Sequence, residues 1–218
     1  MKFIKFPEIE QFRNIIKNVQ MSYRYKGKSE DGEAIYDSSV ILPTIKFLST
    51  IKLHGTHAAI CYNGKDIWAQ ARNKIISIEK DNAGFAFFVE SNKSSIIKLF
   101  EQVRQNYVIY YGDIISIYGE WCGENIQKGV AVAELEKMFV IFGVKISTNY
   151  VTHVDSDNEK AAIWLEEKYY RNIFDNDNKV YNILQFKTWE VDIDFNYPEK
   201  SQNKIVEISL TTARNNYL

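Results

Sequence analysis

Lys52 lies in the most chemically suggestive stretch of the chain, the sequence KLHGT that runs from Lys52 to Thr56 between two segments typical of β-strands. A lysine flanked by Ile51 and Leu53 at a strand end is expected to be partly desolvated, which would lower the pKa of its amine and free it for nucleophilic attack. Gly55 would let a phosphate approach the backbone closely. The pattern Lys-x-x-Gly alone is weak, because a chain of this length contains about one by chance, and an isolated lysine is most often a solvated surface cation.

Three further side chains have types that suit a nucleotide. Arg72 closes the predicted hairpin that begins at Lys52, and its planar guanidinium could bind two phosphate oxygens. Glu120 ends an apolar strand before a glycine-rich turn, where a carboxylate can hold a ribose hydroxyl pair or a metal-bound water. Phe142, next to a glycine, is the better candidate to stack on a base, and Phe139 is the second. Taken singly, each is more simply a surface charge, a strand end or a core residue.

Two other groups of residues favour structure over chemistry. The segment 81–85 is more simply a helix cap and turn than a site. The three histidines form no triad with a serine or cysteine, so a hydrolase with such a nucleophile has little support.

The elements that must position these residues are predicted to be mainly strands. β-Branched and aromatic residues predict strands over 45–51 and 56–62, and Asn63-Gly64 predicts a tight hairpin into a strand over 66–72. Together they predict a β-meander with Lys52 near a strand end. Later strands are predicted over 113–121 and 138–146, with 180–195 as an extended hairpin or one long strand.

Helices are predicted between and around these strands. Pro7 with two nearby glutamates suits a first helical turn, and apolar residues at 12, 15, 16 and 19 continue the helix. The polar run 26–37 is predicted to be a loop. Further helices are predicted over 84–89, 95–103, 157–169 and from 198 through 210. Strands broken by helices without a βαβ rhythm predict an α+β fold with mainly antiparallel sheets, in a single domain over residues 1–218.

The composition limits the classes of function. The 218 residues are 45% hydrophobic and 25% charged with a formal net charge of -1, so a nucleic-acid partner would need a local basic patch. Cys61 and Cys122 form neither a CxxC pair nor a zinc pattern and are predicted to be packing residues in a reducing compartment. Without a signal peptide or an apolar run long enough for a membrane span, the sequence predicts a cytoplasmic protein.

Taken in order along the chain, these motifs resemble the ATP-dependent RNA ligases of the double-strand nick-sealing class, which belong to the covalent nucleotidyltransferase superfamily. Each motif is loose, but their order and separations are specific, and they cover about residues 44–146. The series consists of Lys52 to Thr56, Arg72-Asn73, the segment 81–85, Tyr118-Gly119-Glu120 with Gly123, the segment 127–129, and Phe139 to Phe142.

The resemblance implies a reaction in three steps. A lysine attacks the α-phosphate of ATP, AMP passes to an RNA 5′-phosphate, and an RNA 3′-hydroxyl displaces AMP. The partners would therefore be ATP and RNA, as a nicked duplex or as RNA ends, and Mg²⁺ would offset the triphosphate charge.

The resemblance also assigns roles to residues. Lys52 would be the nucleophile, and Ile51, Gly55 and Thr56 would lie with it around the nucleotide. Arg72 matches the family arginine that follows the lysine hairpin, Glu120 the carboxylate that contacts the ribose, and Phe142 the aromatic residue that stacks on adenine.

The sequence departs from the family pattern in its later part. Gly143 stands where the family strand usually continues with an aspartate. No Glu-Gly pair can follow, because Gly143 is the last glycine, and no Lys-x-Lys follows either. No metal ligand is therefore assigned, the adenylation domain is predicted to be incomplete at its C-terminus, and we expect weak or absent self-adenylylation by these 218 residues, since lost transition-state charge stabilisation slows turnover strongly.

Two alternatives remain open from the sequence. One is a DNA ligase or a GTP-using capping enzyme, although DNA ligases favour aspartate where this chain has His54. The other is a non-catalytic nucleotide-binding or RNA-binding module that kept part of a ligase fold. For such a module, Lys74, Lys93, Lys98 and Lys128 are candidates for phosphate contacts, with a salt-dependent affinity.

Overall fold

The computed structural model describes residues 1–148 and 162–215. They fall into two compact units. The first unit comprises Met1–Phe6 and Ile51–Phe186 and contains every predicted site residue; the second comprises Pro7–Thr50 and the described residues from Lys187 onward. The single functional domain expected over 1–218 stays a prediction, because this division concerns packing alone.

The described residues form five helices, eleven strands and three short 3₁₀ segments. The helices are α1 (Phe12–Arg24), α2 (Phe85–Ser91), α3 (Lys93–Asn106), α4 (Glu167–Tyr170) and α5 (Pro198–Asn215). The strands are β1 (Tyr25–Lys28), β2 (Ala34–Tyr36), β3 (Thr44–Thr50), β4 (Thr56–Tyr62), β5 (Ile67–Ala71), β6 (Lys74–Ile76), β7 (Ile114–Cys122), β8 (Met138–Ser147), β9 (Ala162–Trp164), β10 (Val180–Asn182) and β11 (Thr188–Asp194).

The first unit is built on one sheet in the order β10-β8-β7-β4-β5-β6, with β9 paired to β8. Every described pair in it is antiparallel except β10 with β8. The structure therefore confirms the predicted α+β class with mainly antiparallel sheets.

One face of this sheet is covered by α2 and α3, which pack into the larger core. In α3 the apolar residues Ile96, Leu99, Phe100 and Val103 recur at helical spacing and are fully buried. They contact the sheet residues whose side chains point to that face, such as Ile117 of β7. The chemistry of the sheet must therefore lie on its other face or at its ends.

The other face of the sheet carries the N-terminal segment, which we define as Met1–Phe6. Ile4 is buried there in a small cluster with Ala59 and Cys61 of β4, Trp68 of β5, and Ile114 and Tyr118 of β7. This segment reaches the sheet from a distant point in the sequence, so no local pattern predicts its position.

The second unit contains two antiparallel pairs, β3 with β11 and β1 with β2. Helices α1 and α5 contribute to a separate core around Ile16, Val191, Ile193 and Phe195. The pairing of β3 with β11 joins residues 44–50 to residues 188–194.

Several boundaries and pairings differ from the sequence predictions. The predicted meander is wrong in its first pair, because β3 pairs with β11 and not with β4; the meander begins at β4. The run 26–37 is a hairpin, not a loop, with a glycine at φ +83° in its turn. The region 180–195 is no hairpin, since β10 and β11 belong to different sheets. Of the helix predicted over 157–169, residues 157–161 lie outside the described residues, and 162–164 form β9 because they pair with β8.

We predict that Gly119→Ala destabilises the first unit by about 2 to 3 kcal/mol, because overpacking a filled core forces neighbouring atoms apart. A Cβ on Gly119 would lie 2.5 Å from Cε2 of Phe139 and 2.6 Å from the carbonyl oxygen of Val140. Gly143→Ala is the matched control on the adjacent strand, since its nearest new neighbour is the Trp164 ring at 3.4 Å. Urea unfolding measures both variants, and equal losses of stability would contradict the packing described here.

Candidate active site

The predicted site residues of the first unit meet at one end of its sheet. β4 begins four residues after Lys52 and pairs with β5 on one side and β7 on the other. β5 runs antiparallel to β4, so its last residue, Ala71, pairs with Ala58 near the start of β4. Arg72 follows Ala71 and therefore lies at that same end. On the other side, Glu120 lies directly opposite His57. Three strands thus bring Lys52, Arg72 and Glu120 to the same end of the sheet.

Gly55 is fixed between β7 and the loop that follows it. Its N–H donates to Oε1 of Glu120 at 2.8 Å, and its carbonyl accepts from Nε2 of Gln127 at 3.0 Å. A Cβ on Gly55 would lie 2.3 Å from the carbonyl oxygen of Trp121 and 2.7 Å from Cβ of Cys122. The absence of a side chain at Gly55 is therefore required by its contact with β7.

Lys52 projects into solvent, contrary to the sequence expectation of partial desolvation. Residues 51–54 alternate between half-buried and exposed: Ile51 and Leu53 pack against an apolar cluster around Cys122, while Lys52 and His54 are exposed. The expectation is wrong because the flanking apolar residues turn inward and leave the amine on the opposite side.

Glu120 is half-buried and electrically linked to Lys52. Burial raises the pKa of its carboxyl group, while the hydrogen bond from Gly55 and the positive charge of Lys52 act in the opposite direction. The charge of the predicted nucleophile thus acts on the carboxylate that holds the Gly55 N–H.

Arg72 lies exposed in the two-residue turn between β5 and β6. Its charge lowers the pKa of His57, which shows that the guanidinium acts on the start of β4. An exposed guanidinium at this position keeps its donors free to bind an anion.

The two aromatic candidates lie on opposite faces of β8. Phe139 is fully buried in the helix-covered core, with its ring 5.0 Å from that of Phe85. Phe142 is half-buried, and its ring lies 5.8 Å from that of His57. The pairing of β8 with β7 steps from Gly143 opposite Tyr118 to Ile141 opposite Gly119, so Phe142 is the extra residue of a β-bulge. Of the two, only Phe142 lies on the face of the site.

Sequence reasoning missed His57 as a site residue. It occupies the same face as Glu120, and neither of its ring nitrogens has a hydrogen-bond partner among the described residues. Burial, followed by the charge of Arg72, lowers the pKa of His57 to about 4, so the imidazole is neutral at pH 7. The alternation of β4 could have placed His57 beside the site, because residues directly opposite in a strand pair share a face.

The segment 81–85 is a helix cap, as its residue pattern predicts. Asp81 accepts hydrogen bonds from the backbone N–H groups of Asn82, Ala86 and Phe87, the last two in the first turn of α2. Asn82 donates from its side chain to Oγ1 of Thr56 at 2.9 Å. The cap thereby fixes Thr56, a predicted nucleotide-binding residue, from the helix side.

The described residues include no group of three His, Cys, Asp or Glu side chains that could hold a metal ion. Cys61 and Cys122 are free and buried, which confirms their prediction as packing residues. Burial raises the pKa of each thiol to about 12, so neither is a thiolate at neutral pH.

A comparison with protein-family models gives a match that agrees with the resemblance carried by the motifs on this sheet. The family model described as RNA ligase matches residues 45–204, which is most of the chain and covers residues 51–186 of the first unit and part of the second. The chain therefore belongs to the RNA ligase family. A comparison with curated proteins gave no match. Across residues 1–148 and 162–215, no helix is long and apolar enough to cross a membrane.

We predict that His57 makes the first unit less stable in acid. Its pKa is about 4 in the folded protein and 6.5 ordinarily, so the unfolded chain binds more protons between these values. Above about pH 6.5 the ring is neutral in both the folded and the unfolded chain, so His57 costs no stability through protonation. As the pH falls towards 4 the unfolded chain takes up the proton first, and the free energy of unfolding falls by on the order of 1 to 2 kcal/mol for a partly solvated ring.

Urea unfolding between pH 4 and 7, with His57→Phe as the control, measures this effect. The difference in unfolding free energy between the parent and the variant should change with pH in that window. Comparing the two chains cancels the titration of Glu120, whose raised pKa gives a slope of the opposite sign. A pH-independent difference would contradict the assignment.

Proposed function

We propose that the first unit carries the nucleotidyl-transfer site of an ATP-dependent RNA ligase that forms a covalent lysyl-AMP intermediate. The observation that carries the proposal is the meeting of Lys52, Arg72 and Glu120 at one end of a single sheet, with Phe142 on the same face as Glu120 at the β-bulge of β8. These residues are up to ninety positions apart in the sequence, and the pairing of β4 with β5 and β7, and of β7 with β8, brings them onto one sheet. Membership of the RNA ligase family supports the same reaction class.

Lys52 is the proposed nucleophile. Its amine gives up a proton to solvent, and the nitrogen lone pair attacks the α-phosphorus of ATP. A P–N bond forms as the bond to the β-phosphate oxygen breaks, and pyrophosphate leaves. The exposure of Lys52 gives ATP access to the amine, and Gly55, held by Glu120 and Gln127, fixes the end of the loop that carries it.

The later steps pass AMP to RNA and then release it. An oxygen of the RNA 5′-phosphate attacks the lysyl-AMP phosphorus, the P–N bond breaks, the lysine nitrogen takes up a proton from solvent and leaves as the free amine, and adenylylated RNA forms. The 3′-hydroxyl of the second RNA end then attacks the 5′-phosphorus, loses its proton and displaces AMP, which seals the strand. The nick-sealing preference, for breaks within a duplex, is part of this proposal.

The other site residues have positioning roles in the proposal. Arg72 binds phosphate oxygens with its exposed guanidinium. Glu120 accepts a hydrogen bond from a ribose hydroxyl with the carboxylate oxygen that does not bind the Gly55 N–H. Phe142 presents its ring to adenine, and the backbone around Ile51 and Thr56 borders the nucleotide.

Mg²⁺ would fit the proposed site when it is bound to the phosphates of ATP. Mg²⁺ in nucleotide sites keeps several waters and binds through substrate phosphates with one or two carboxylates. Glu120 is a half-buried carboxylate at this end of the sheet, and one of its oxygens already accepts a hydrogen bond from Gly55. The triphosphate oxygens and water would therefore be the main ligands, and the ion would supply neutralisation of phosphate charge.

We predict that AMP becomes attached to Lys52 in the presence of ATP and Mg²⁺, and that Lys52→Arg abolishes the adduct. Arginine keeps the charge but cannot act as an amine nucleophile at neutral pH. Prolonged incubation followed by peptide mass spectrometry detects an adduct even if its formation is slow by orders of magnitude. Lys65→Arg is the control, because Lys65 lies past the far end of β4, about 20 Å away for a seven-residue strand.

Since self-adenylylation by these 218 residues is expected to be weak, the result that would contradict the nucleophile assignment is an adduct that survives Lys52→Arg. ATP binding without any adduct would instead support a non-catalytic nucleotide-binding module. Label transfer from ATP against GTP, and sealing of nicked RNA against nicked DNA with the same preparation, separate an RNA ligase from a capping enzyme or a DNA ligase.

We predict that Glu120→Gln slows adduct formation by about 10- to 100-fold, because a neutral amide is a weaker acceptor than a carboxylate by about 1.4 to 2.7 kcal/mol. Gln keeps an oxygen for the Gly55 N–H, so the stability of the fold should change little. Glu120→Ala leaves that N–H without an acceptor and should also cost about 1 to 3 kcal/mol of unfolding free energy. Equal rates for Glu120→Ala and the parent would remove Glu120 from the site.

A further inference from the structure

The N-terminal segment is held on the site face of the sheet by a buried network. The N–H of Ile4 donates to Oε1 of Gln70 at 2.8 Å, and Nε2 of Gln70 donates back to the carbonyl of Ile4 at 3.0 Å. Tyr118 donates from its hydroxyl to the same carbonyl at 3.0 Å. Because Gln70 and Tyr118 are almost fully buried, the backbone at Ile4 has a fixed position.

This anchor places the ring of Phe6 beside the proposed base-stacking residue. Ring centroids lie 4.9 Å from Phe6 to His57, 5.0 Å to Tyr118, 5.3 Å to Trp164 and 5.5 Å to Phe142. The contact with Phe142 is edge-to-face, with 75° between the ring planes. Phe6 is thus the one residue of the N-terminal segment that contacts both Phe142 and His57 through its ring.

His57 is the polar member of this aromatic group, and nothing described around it satisfies its nitrogens. A neutral imidazole has one N–H donor and one acceptor nitrogen, and leaving such a buried group unpaired is unfavourable. Neither nitrogen is solvent-accessible or hydrogen-bonded among the described residues. The nearby Tyr118 hydroxyl already donates to Ile4. Aromatic rings around an unpaired donor and acceptor are the environment that a heteroaromatic base would complete.

We propose that Phe6 and His57 line the nucleobase pocket together with Phe142, with the imidazole of His57 hydrogen-bonded to the polar edge of the purine and Phe6 packed against its ring. This inference rests on the proposed function, since it concerns the base of the same nucleotide. The anchor is made by the backbone of Ile4 and does not involve the Phe6 side chain, so a substitution at Phe6 leaves the anchor intact.

His57→Phe tests the inference because it separates binding from stability. Phenylalanine keeps a ring among the aromatic neighbours and removes the unpaired nitrogens, so the melting temperature at pH 7 should stay equal or rise. The affinity for ATP, measured by calorimetry, should fall about 5- to 30-fold for one lost hydrogen bond. His57→Asn, which keeps a donor and an acceptor, should retain part of the affinity.

Phe6→Leu tests the second residue, with Phe87→Leu as its control. Leucine keeps apolar bulk but loses the aromatic contact, and affinity for ATP should fall about 2- to 10-fold. Phe87 is exposed on α2, which covers the opposite face of the sheet, so its variant should bind ATP as the parent does.

Ribose 5-triphosphate, which lacks the base, is the discriminating ligand. If the inference holds, its affinity is the same for the parent, His57→Phe and Phe6→Leu. Equal losses for ATP and ribose 5-triphosphate, or ATP binding unchanged in both variants, would overturn the inference and leave the proposed function intact. A parent chain that binds no ATP and forms no adduct would instead overturn the proposed function itself.

Discussion

The hydrogen bond from the Gly55 N–H to the Glu120 carboxylate is the contact on which the candidate site depends. It ties the loop that carries Lys52 to β7, and the close packing of Gly55 on Trp121 permits no side chain at that position. The positive charge of Lys52 lowers the pKa of the same carboxyl group, against the larger effect of burial. One short contact therefore fixes both the predicted nucleophile and the predicted ribose acceptor at the same end of the sheet, and the pairing of β4 with β5 and β7 brings in Arg72 and His57.

Local sequence patterns predicted those parts of the fold that local forces determine. β4, with the Asn63-Gly64 turn into β5, follows from β-branched content and turn chemistry, and α3 follows from its apolar spacing. The partner of β3 could not be predicted, because it lies more than 130 residues further along the chain and nothing local specifies it. The exposure of Lys52 was also missed, since the alternation that turns Ile51 and Leu53 inward depends on an apolar cluster built from distant strands.

The site shows the same division between local and long-range information. The motif order indicated Lys52, Arg72, Glu120 and Phe142; the sheet brings the first three to one end and holds Phe142 on the same face as Glu120. The motif order did not indicate His57 or Phe6. The contact between their rings forms only when the N-terminal segment packs across β4, β5 and β7. An unpaired imidazole among aromatic rings has no signature in the sequence, yet among the described residues both ring nitrogens of His57 are buried without a hydrogen-bond partner.

A crystal structure of the chain with AMP or a non-hydrolysable ATP analogue tests the central claim most directly, since it locates the nucleotide without requiring turnover. The account predicts the purine against Phe142, the ribose at Glu120 and the α-phosphorus about 3 to 3.5 Å from Nζ of Lys52, the separation of a near-attack geometry. A nucleotide bound elsewhere on the chain, with Lys52 and Glu120 uncontacted, would contradict it.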